Sequence, residues 1–133
     1  MDPIILAPGE GDGDEERSTK LSTDELGVVE FHVEKDDVGD HIHECDEIFY
    51  VLEGRMTFRA DGRSYDVDAG GFVFIPSGSR HGFEHSSRAH YLVISSPGGL
   101  EKYFAETEEA EANGAREEEL EQIAARYGTT SVD

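Results

Sequence analysis

Short runs of alternating apolar and polar residues, separated by turn residues, constrain the fold of this chain more than any other feature. They recur at intervals of roughly 8–12 residues through the middle of the sequence, a spacing typical of β-sandwiches and β-barrels. Between two of the runs lies Asp61-Gly62, the dipeptide of a two-residue type I′ hairpin. Counting outward from this turn places Phe58 opposite Tyr65, so that aromatic side chains share one face. The sequence therefore predicts an all-β domain.

Two of the runs are apolar on both faces. Residues 48–52 and 72–75 are apolar at every position, which is typical of strands covered on both sides. One barrel has only one interior, so the other face of these strands must be covered by helices, by a second sheet or by another subunit. From this pattern we expect copies of the chain to associate. The predicted outward set is Ile48, Tyr50, Leu52, Val73 and Ile75.

Composition changes at both ends divide the chain into three parts. Residues 9–20 are rich in glycine and charge, which predicts a loop or mobile N-terminal arm over residues 1–21. The β runs occupy residues 22–96. In residues 97–133 the apolar spacing becomes helical and predicts two short C-terminal helices packed on the outside of the β domain. Their apolar positions are Leu100, Tyr103, Phe104, Leu120, Ile123, Ala124 and Tyr127.

The net charge of −20 on 133 residues limits the classes of partner. Binding to phosphates requires clustered lysine and arginine, so we expect no nucleic-acid partner and no binding to an anionic membrane. The chain has only three lysines against eight arginines. A diffuse acidic surface with few lysines is typical of proteins from salt-loving organisms, in which high salt screens the repulsion. An ordinary acidic cytosolic protein is the alternative.

The single cysteine, Cys45, excludes an intrachain disulfide. The sequence contains no apolar run of membrane-spanning length, and its first residues lack the apolar core of a signal peptide. These features predict a cytoplasmic protein that spans no membrane.

Four side chains of metal-binding type form the main chemical feature of the sequence. His41, His43 and Glu47 have the same parity, so on an extended chain they face the same side. His81 follows a turn of proline, serine and glycine at residues 76–78. Imidazole and carboxylate together suit a divalent transition metal such as Fe, Mn, Ni, Cu or Zn. A shared site requires these four side chains to converge.

The same residues carry a resemblance to a known family. The pattern HxHx3Ex6G from His41 to Gly54 and the pattern Gx5PxGx2H from Gly70 to His81 resemble the two motifs of the cupins. The resemblance covers roughly residues 22–96. The segment that follows is similar to the tail of small quercetin-dioxygenase-like cupins. The implied fold is a double-stranded β-helix, or jelly-roll barrel, with two short C-terminal helices.

The resemblance also implies the roles of individual residues. It assigns His41, His43, Glu47 and His81 as ligands of one divalent transition metal, and Glu47 as a base if it dissociates. His85, four residues after the last ligand, is predicted to be a partner of a ligand or an extra ligand. His32 and His90 lack partners at ligand spacing, so we expect them to be surface residues.

Parity with the ligands also predicts which side chains face the barrel interior. They would form an apolar, aromatic pocket around the metal, or they would fill the core by packing alone. The predicted pocket residues are Phe31, Phe49, Met56, Phe58, Tyr65 and Phe83.

Three functions are compatible with this site. The first is a quercetin-dioxygenase-like oxygenase that acts on a small aromatic or enolic compound bound to the metal through oxygen. The second is a non-enzymatic protein that binds a small metabolite through the metal. The third is an isomerase or epimerase of a sugar or keto acid. That reaction usually needs basic groups near an anionic substrate, and the nearby candidates Arg59 and Arg80 have outward parity.

Overall fold

The computed structural model describes residues 1–132 and consists mainly of two antiparallel sheets. The strands are β1 (Asp12–Gly13), β2 (Arg17–Ser22), β3 (Gly27–Val33), β4 (Asp36–His43), β5 (Asp46–Glu53), β6 (Arg55–Ala60), β7 (Arg63–Asp68), β8 (Phe72–Ile75), β9 (His81–His85), β10 (Ala89–Ser96) and β11 (Thr129–Ser131). The helices are α1 (Leu100–Ala112) and α2 (Glu117–Arg126).

The two sheets enclose one core. The first has the strand order β1-β2-β3-β10-β5-β8 and the second has the order β11-β4-β9-β6-β7. This arrangement confirms the predicted jelly-roll barrel. The buried apolar side chains come from both sheets, and each valine, isoleucine, methionine or phenylalanine among them contributes about 1.5–3 kcal/mol through its burial. They are Phe49, Val51, Met56, Phe58, Ile75, Phe83, Ala89, Tyr91 and Val93.

The hairpin at Asp61-Gly62 forms as predicted. Asp61 has φ 54° and Gly62 has φ 70°, the left-handed values that a type I′ turn requires at both central positions. The register places Phe58 opposite Tyr65. Local turn chemistry therefore determines the pairing of β6 with β7.

The structure differs from the N-terminal arm that we predicted over residues 1–21. Residues 17–22 form β2, which pairs with β3 along the edge of the six-stranded sheet. The sequence did not predict this strand, because Ser18 is its only buried residue and its charged residues show no apolar alternation. The sheet therefore extends across the boundary that we placed at residue 22.

The C-terminal extension contains both predicted helices, separated at Asn113-Gly114. Phe104 of α1 packs against the core and meets the ring of Phe31 edge-on, with centroids 5.4 Å apart. After Gly128, residues Thr129–Ser131 form β11, which pairs with β4. The extension therefore completes the five-stranded sheet as well as covering the barrel. Within residues 1–132, neither helix is long and apolar enough to cross a membrane.

The predicted parity of residues 72–75 is wrong. Ile75 is buried in the core and Val73 packs against it, whereas Phe72 and Phe74 are 60% and 51% exposed. The register aligns Phe74 with Ile48 and Phe72 with Tyr50 on the outer face. A strand that is apolar at every position carries no alternation, so only its pairing decides which side chains face inward.

Candidate metal centre

The structure brings the four predicted donors to one place inside the barrel. His41 and His43 lie at the end of β4, Glu47 lies near the start of β5, and His81 begins β9. β4 pairs with β9 so that His41 stands directly opposite His81. The donor atoms of all four residues lie within 4.8 Å of one another. His81 is thus brought by the folded sheets to donors that lie 34 or more residues earlier in the chain.

The turn before His81 is attached to the turn between β4 and β5. The backbone N–H of Gly78 donates to the carbonyl of His43 at 2.8 Å. The hydroxyl of Ser77 donates to the carbonyl of Glu44 at 2.7 Å, and its N–H donates to Asp46 Oδ1 at 2.9 Å. These bonds hold the strand that carries His81 close to the strands that carry the other three donors.

Each imidazole is oriented by a hydrogen bond on the side away from the centre. The Nδ1 atom of His41 lies 2.8 Å from the carbonyl oxygen of Gly39, and that of His81 lies 2.9 Å from the carbonyl oxygen of Ser79. The Nδ1 atom of His43 lies 2.8 Å from the hydroxyl of Thr129. This leaves every Nε2 for the centre, the arrangement that metal-binding histidines usually show. The donor set therefore fits a divalent transition metal.

Glu47 provides the negative charge of the cluster. It is 2% exposed, and its Oε1 atom lies 3.0 Å from His81 Nε2 and 3.6 Å from His43 Nε2. Carboxylate and carbonyl oxygens only accept hydrogen bonds, so His81 donates from both nitrogens to Glu47 and Ser79. A metal ion would take the place of the proton on Nε2, because a coordinating imidazole must be neutral.

The three imidazoles differ in their tendency to hold a proton. Burial lowers the pKa of His41, and it lowers the pKa of His43 from 6.5 to about 4. Burial acts in the same direction on His81, but its hydrogen bonds to Glu47 and Ser79 outweigh this effect and raise its pKa. His41 and His43 are therefore neutral near pH 7, as ligation requires.

Cys45 lies between two of the donors in sequence but is not part of the cluster. Burial, followed by the charge of Glu47, raises the pKa of its thiol to about 11. The thiol therefore stays protonated near neutral pH, and a protonated thiol is a poor metal ligand.

A cavity of about 550 Å³ opens beside the four donors. Its lining includes His41, His43 and Glu47 together with apolar rings. Three of the predicted pocket residues line it, namely Phe31, Phe49 and Phe83. Sequence reasoning missed three further aromatic rings of the lining, Tyr91, Tyr103 and Phe104. The alternation of Ala89, Tyr91 and Val93 in β10 was the signal that could have placed Tyr91 inward.

The other three predicted pocket residues do not line this cavity. Met56 and Phe58 are fully buried in the core. Tyr65 is 44% exposed although it faces Phe58 across the hairpin. The reason is that β7 is the edge strand of its sheet, with no further strand beyond it to continue the barrel wall. The prediction for Tyr65 is therefore wrong.

His85 is buried, but within residues 1–132 its hydrogen bond and its ring contact are not with the four donors. Its Nδ1 lies 3.0 Å from the carbonyl oxygen of Ser87, and its ring meets that of Tyr91 at 6.1 Å. Within residues 1–132 its Nε2 has no hydrogen-bond partner. The predicted role as a partner or extra ligand of the metal therefore finds no contact in the structure. Four residues along an extended strand carry a side chain too far for that contact.

Thr129 is a functional candidate that sequence reasoning missed. It is buried in β11, 86 residues from His43 in sequence, and its hydroxyl orients that imidazole. The β-branched run Thr129, Thr130 and Val132 after Gly128 was the available signal for a strand.

Comparison with known proteins agrees with this architecture. Residues 27–95 match the cupin domain family. The chain belongs to the cupin family. This cupin is 34% identical over 113 residues to quercetin 2,3-dioxygenase of Bacillus subtilis, which covers 77% of this chain and 34% of that protein. It is 35% identical over 52 residues to acetate kinase EutQ of Clostridioides difficile, covering 39% of this chain and 33% of that protein. The cupin thus spans about a third of the length of these curated relatives.

Solved structures show the same fold at low identity. An RmlC-like cupin from Shewanella frigidimarina has a TM-score of 0.63 at 20% identity, over 73% of this chain and 92% of that chain. KdgF from Halomonas sp. has a TM-score of 0.63 at 22% identity, over 73% of this chain and 94% of that chain. These likenesses support the barrel topology described above.

Proposed function

We propose that this cupin is a metal-dependent dioxygenase that acts on a small aromatic or enolic compound. The observation that carries the proposal is the convergence of three imidazoles and one carboxylate next to a cavity lined by aromatic rings. The partial likeness to quercetin 2,3-dioxygenase supports the same class of reaction. The metal would be Fe, Mn, Ni, Cu or Zn, and it would supply Lewis-acid or redox chemistry at the positions that the four ligands leave open.

The aromatic wall would bind and orient the substrate. Phe31 stacks on Tyr91 with centroids 5.2 Å apart, and Phe104 meets Phe31 edge-on with centroids 5.4 Å apart. Flat rings of this kind favour a planar aromatic ligand through stacking and exclude water from it. A cavity of about 550 Å³ lies in the size range of sites for small organic molecules.

Two side chains would handle protons at this site. Glu47 would accept the proton of a substrate hydroxyl if its carboxylate dissociates from the metal, because it lies in the lining of the cavity. Burial raises the pKa of Tyr91, so its phenol stays protonated near neutral pH. Glu47 is therefore the proposed base, and Tyr91 contributes packing and polarity.

The test is oxygen uptake by the purified chain of 133 residues after loading with each metal in turn. We expect uptake with a flavonol or an enediol substrate, and loss of uptake in Glu47→Gln and His41→Ala. Tyr65→Phe is the matched control, because Tyr65 lies outside the cavity. The proposal fails if no divalent metal copurifies and none raises the melting temperature. Tight flavonol binding without oxygen uptake would also overturn it and would favour the non-enzymatic binding protein instead.

The isomerase alternative needs basic groups that are available to an anionic substrate, and Arg59 and Arg80 give it little support. Arg59 Nε lies 3.2 Å from Asp40 Oδ1, and Arg80 Nε lies 3.0 Å from Asp40 Oδ2. Both guanidinium groups therefore bind a carboxylate of the protein, which leaves less of their charge for an anionic substrate.

We also propose that the cupin is a homodimer. The outer face of β5 and β8 carries exposed aromatic side chains at Tyr50, Phe72 and Phe74. They lie at the edge of the six-stranded sheet, where a second copy would cover them and the free edge of β8 together. Light scattering should give twice the chain mass, and the double variant Phe72→Ser, Phe74→Ser should be monomeric. Tyr65→Ser, an exposed aromatic on the other sheet, is the control. A monomeric wild type would contradict the proposal.

A further inference from the structure

A second group of metal-binding side chains lies on the outer face of the six-stranded sheet. It consists of Glu30 and His32 on β3 and His90 on the neighbouring strand β10. The register places His90 directly opposite His32. Glu30 is two residues from His32, so all three side chains point to the same face. The barrel cluster, by contrast, faces the interior.

Both imidazoles approach the same carboxylate oxygen, Oε2 of Glu30. His90 Nε2 lies 2.8 Å from Glu30 Oε2, and His32 Nε2 lies 4.0 Å from the same oxygen. All three donor atoms lie within 4.8 Å of one another. Zinc–ligand bonds of 2.0–2.2 Å in a tetrahedral site place neighbouring donors about 3.3 Å apart. The observed distances of 2.8 and 4.0 Å lie on either side of that value, so small rotations of the side chains would admit an ion.

The imidazole rings are already held side by side. His32 and His90 stack with centroids 3.7 Å apart and an interplanar angle of 19°. The Nδ1 atom of His90 is buried and has no hydrogen-bond partner in the part of the chain that the structure describes. Rotation of this ring toward a metal would therefore break one hydrogen bond, the one to Glu30, which the metal would replace.

The charges around the group favour a cation. Lys20 lies 3.3 Å from Glu30 Oε1, which leaves Oε2 as the oxygen that faces the two imidazoles. Asp14, Glu15 and Arg88 line the groove beside the group, and Glu53 Oε1 lies 3.9 Å from His90 Nδ1, so three carboxylates stand against the ammonium of Lys20 and the guanidinium of Arg88. Burial, followed by the charge of His90, lowers the pKa of His32. Its imidazole is therefore neutral near pH 7, as a metal ligand must be.

We propose that Glu30, His32 and His90 bind a second divalent cation of the zinc class, separate from the barrel site. Two imidazoles and one carboxylate are a known ligand set for zinc, and they leave one position for water. The ion would cross-link β3 and β10, which are adjacent strands of the six-stranded sheet. The proposal does not depend on the dioxygenase function, because it involves no residue of the barrel cluster.

The test counts zinc ions bound to the chain of 133 residues. The protein is stripped with a chelator, loaded with Zn²⁺, passed through a desalting column and measured by elemental analysis. We expect two equivalents for the wild type, one for His32→Ala, one for the variant His41→Ala, His43→Ala, and none when all three histidines are replaced. Glu34→Gln, which removes an exposed carboxylate just beyond β3, is the control and should retain two. If His32→Ala retains the wild-type number, the proposal is overturned.

A second measurement uses the unmodified chain and so does not depend on the folding of a variant. The ¹⁵N resonances of the imidazoles are recorded while Zn²⁺ is added. Site formation predicts large shifts of Nε2 in both His32 and His90. Shifts confined to His41, His43 and His81 would overturn the second site while leaving the barrel site intact.

Discussion

The protonation of His43 couples the stability of the metal-free barrel to pH. Its pKa is about 4 in the folded chain against 6.5 unfolded. Above pH 6.5 both states are neutral, and between pH 6.5 and 4 only the unfolded state gains the proton. With metal removed by a chelator, acidification from pH 6.5 to pH 4 should lower the free energy of unfolding by about 3 kcal/mol through His43. His41 acts in the same direction and His81 in the opposite one.

Urea unfolding at pH 7 and pH 4.5 measures this effect. His43→Gln should lose less stability on acidification than the wild type, because glutamine does not titrate. An equal loss in both proteins would show that His43 does not contribute.

Phe58 and Tyr65 provide a matched pair for the difference between core and edge. They face each other across the same hairpin, yet Phe58 is 1% exposed and Tyr65 is 44% exposed. Phe58→Ala should therefore lower the free energy of unfolding by about 3–5 kcal/mol, whereas Tyr65→Ala should lower it by about 1 kcal/mol or less. Denaturant titration of the two variants compares these values. A similar loss in both would contradict the assignment of Tyr65 to the surface.

At the scale of elements, the short strand β11 connects the C-terminal extension to the metal centre. It pairs with β4 so that Thr129 lies opposite His43, where its hydroxyl meets Nδ1 at 2.8 Å. If Nε2 holds a metal, Nδ1 carries the proton and donates it to Thr129. The last strand thus orients a ligand presented by a strand from the first half of the chain.

Thr129→Val should therefore weaken metal binding by about 10–100-fold, because the imidazole loses the partner that orients it. The valine conserves the shape of the side chain, which limits changes in packing. Thr130→Val is the control, since Thr130 is exposed and lies opposite Ile42. Competition with a chromophoric chelator measures both affinities. Equal affinity in Thr129→Val and the wild type would contradict the proposed role.

At the scale of the whole molecule, the net charge of −20 should make the stability depend on salt. The acidic residues of α2 are exposed and close together in sequence, as in Glu117, Glu118 and Glu121. Their repulsion destabilises the compact state and is screened at high ionic strength. The melting temperature should therefore rise from low to multimolar KCl.

A charge-reversal variant provides the comparison for this prediction. Replacing Glu117, Glu118 and Glu121 by lysine changes the net charge by six units without touching a buried residue. The variant should gain less stability from salt than the wild type. Equal melting temperatures of the wild type at both salt concentrations would argue against a protein adapted to high salt.

The sequence by itself determined the features that depend on near neighbours. The Asp61-Gly62 turn established the β6–β7 register, since its backbone geometry permits only one pairing of the flanking strands. The shared parity of His41 and His43 put both donors on one face of β4, and helical spacing located α1 and α2. The motif spacing supplied His81 as the fourth member of the cluster through the cupin resemblance.

Only the tertiary structure decided the features that depend on which distant segments become neighbours. Phe74 faces outward because β8 aligns with β5, and nothing within residues 72–75 distinguishes its two faces. Thr129 reaches His43 because β11 joins a sheet whose other strands end at residue 85. His90 meets Glu30 across 60 residues of chain because β10 and β3 are adjacent. In each case the deciding contact is a strand pairing between remote segments, and local alternation of side chains carries no information about it.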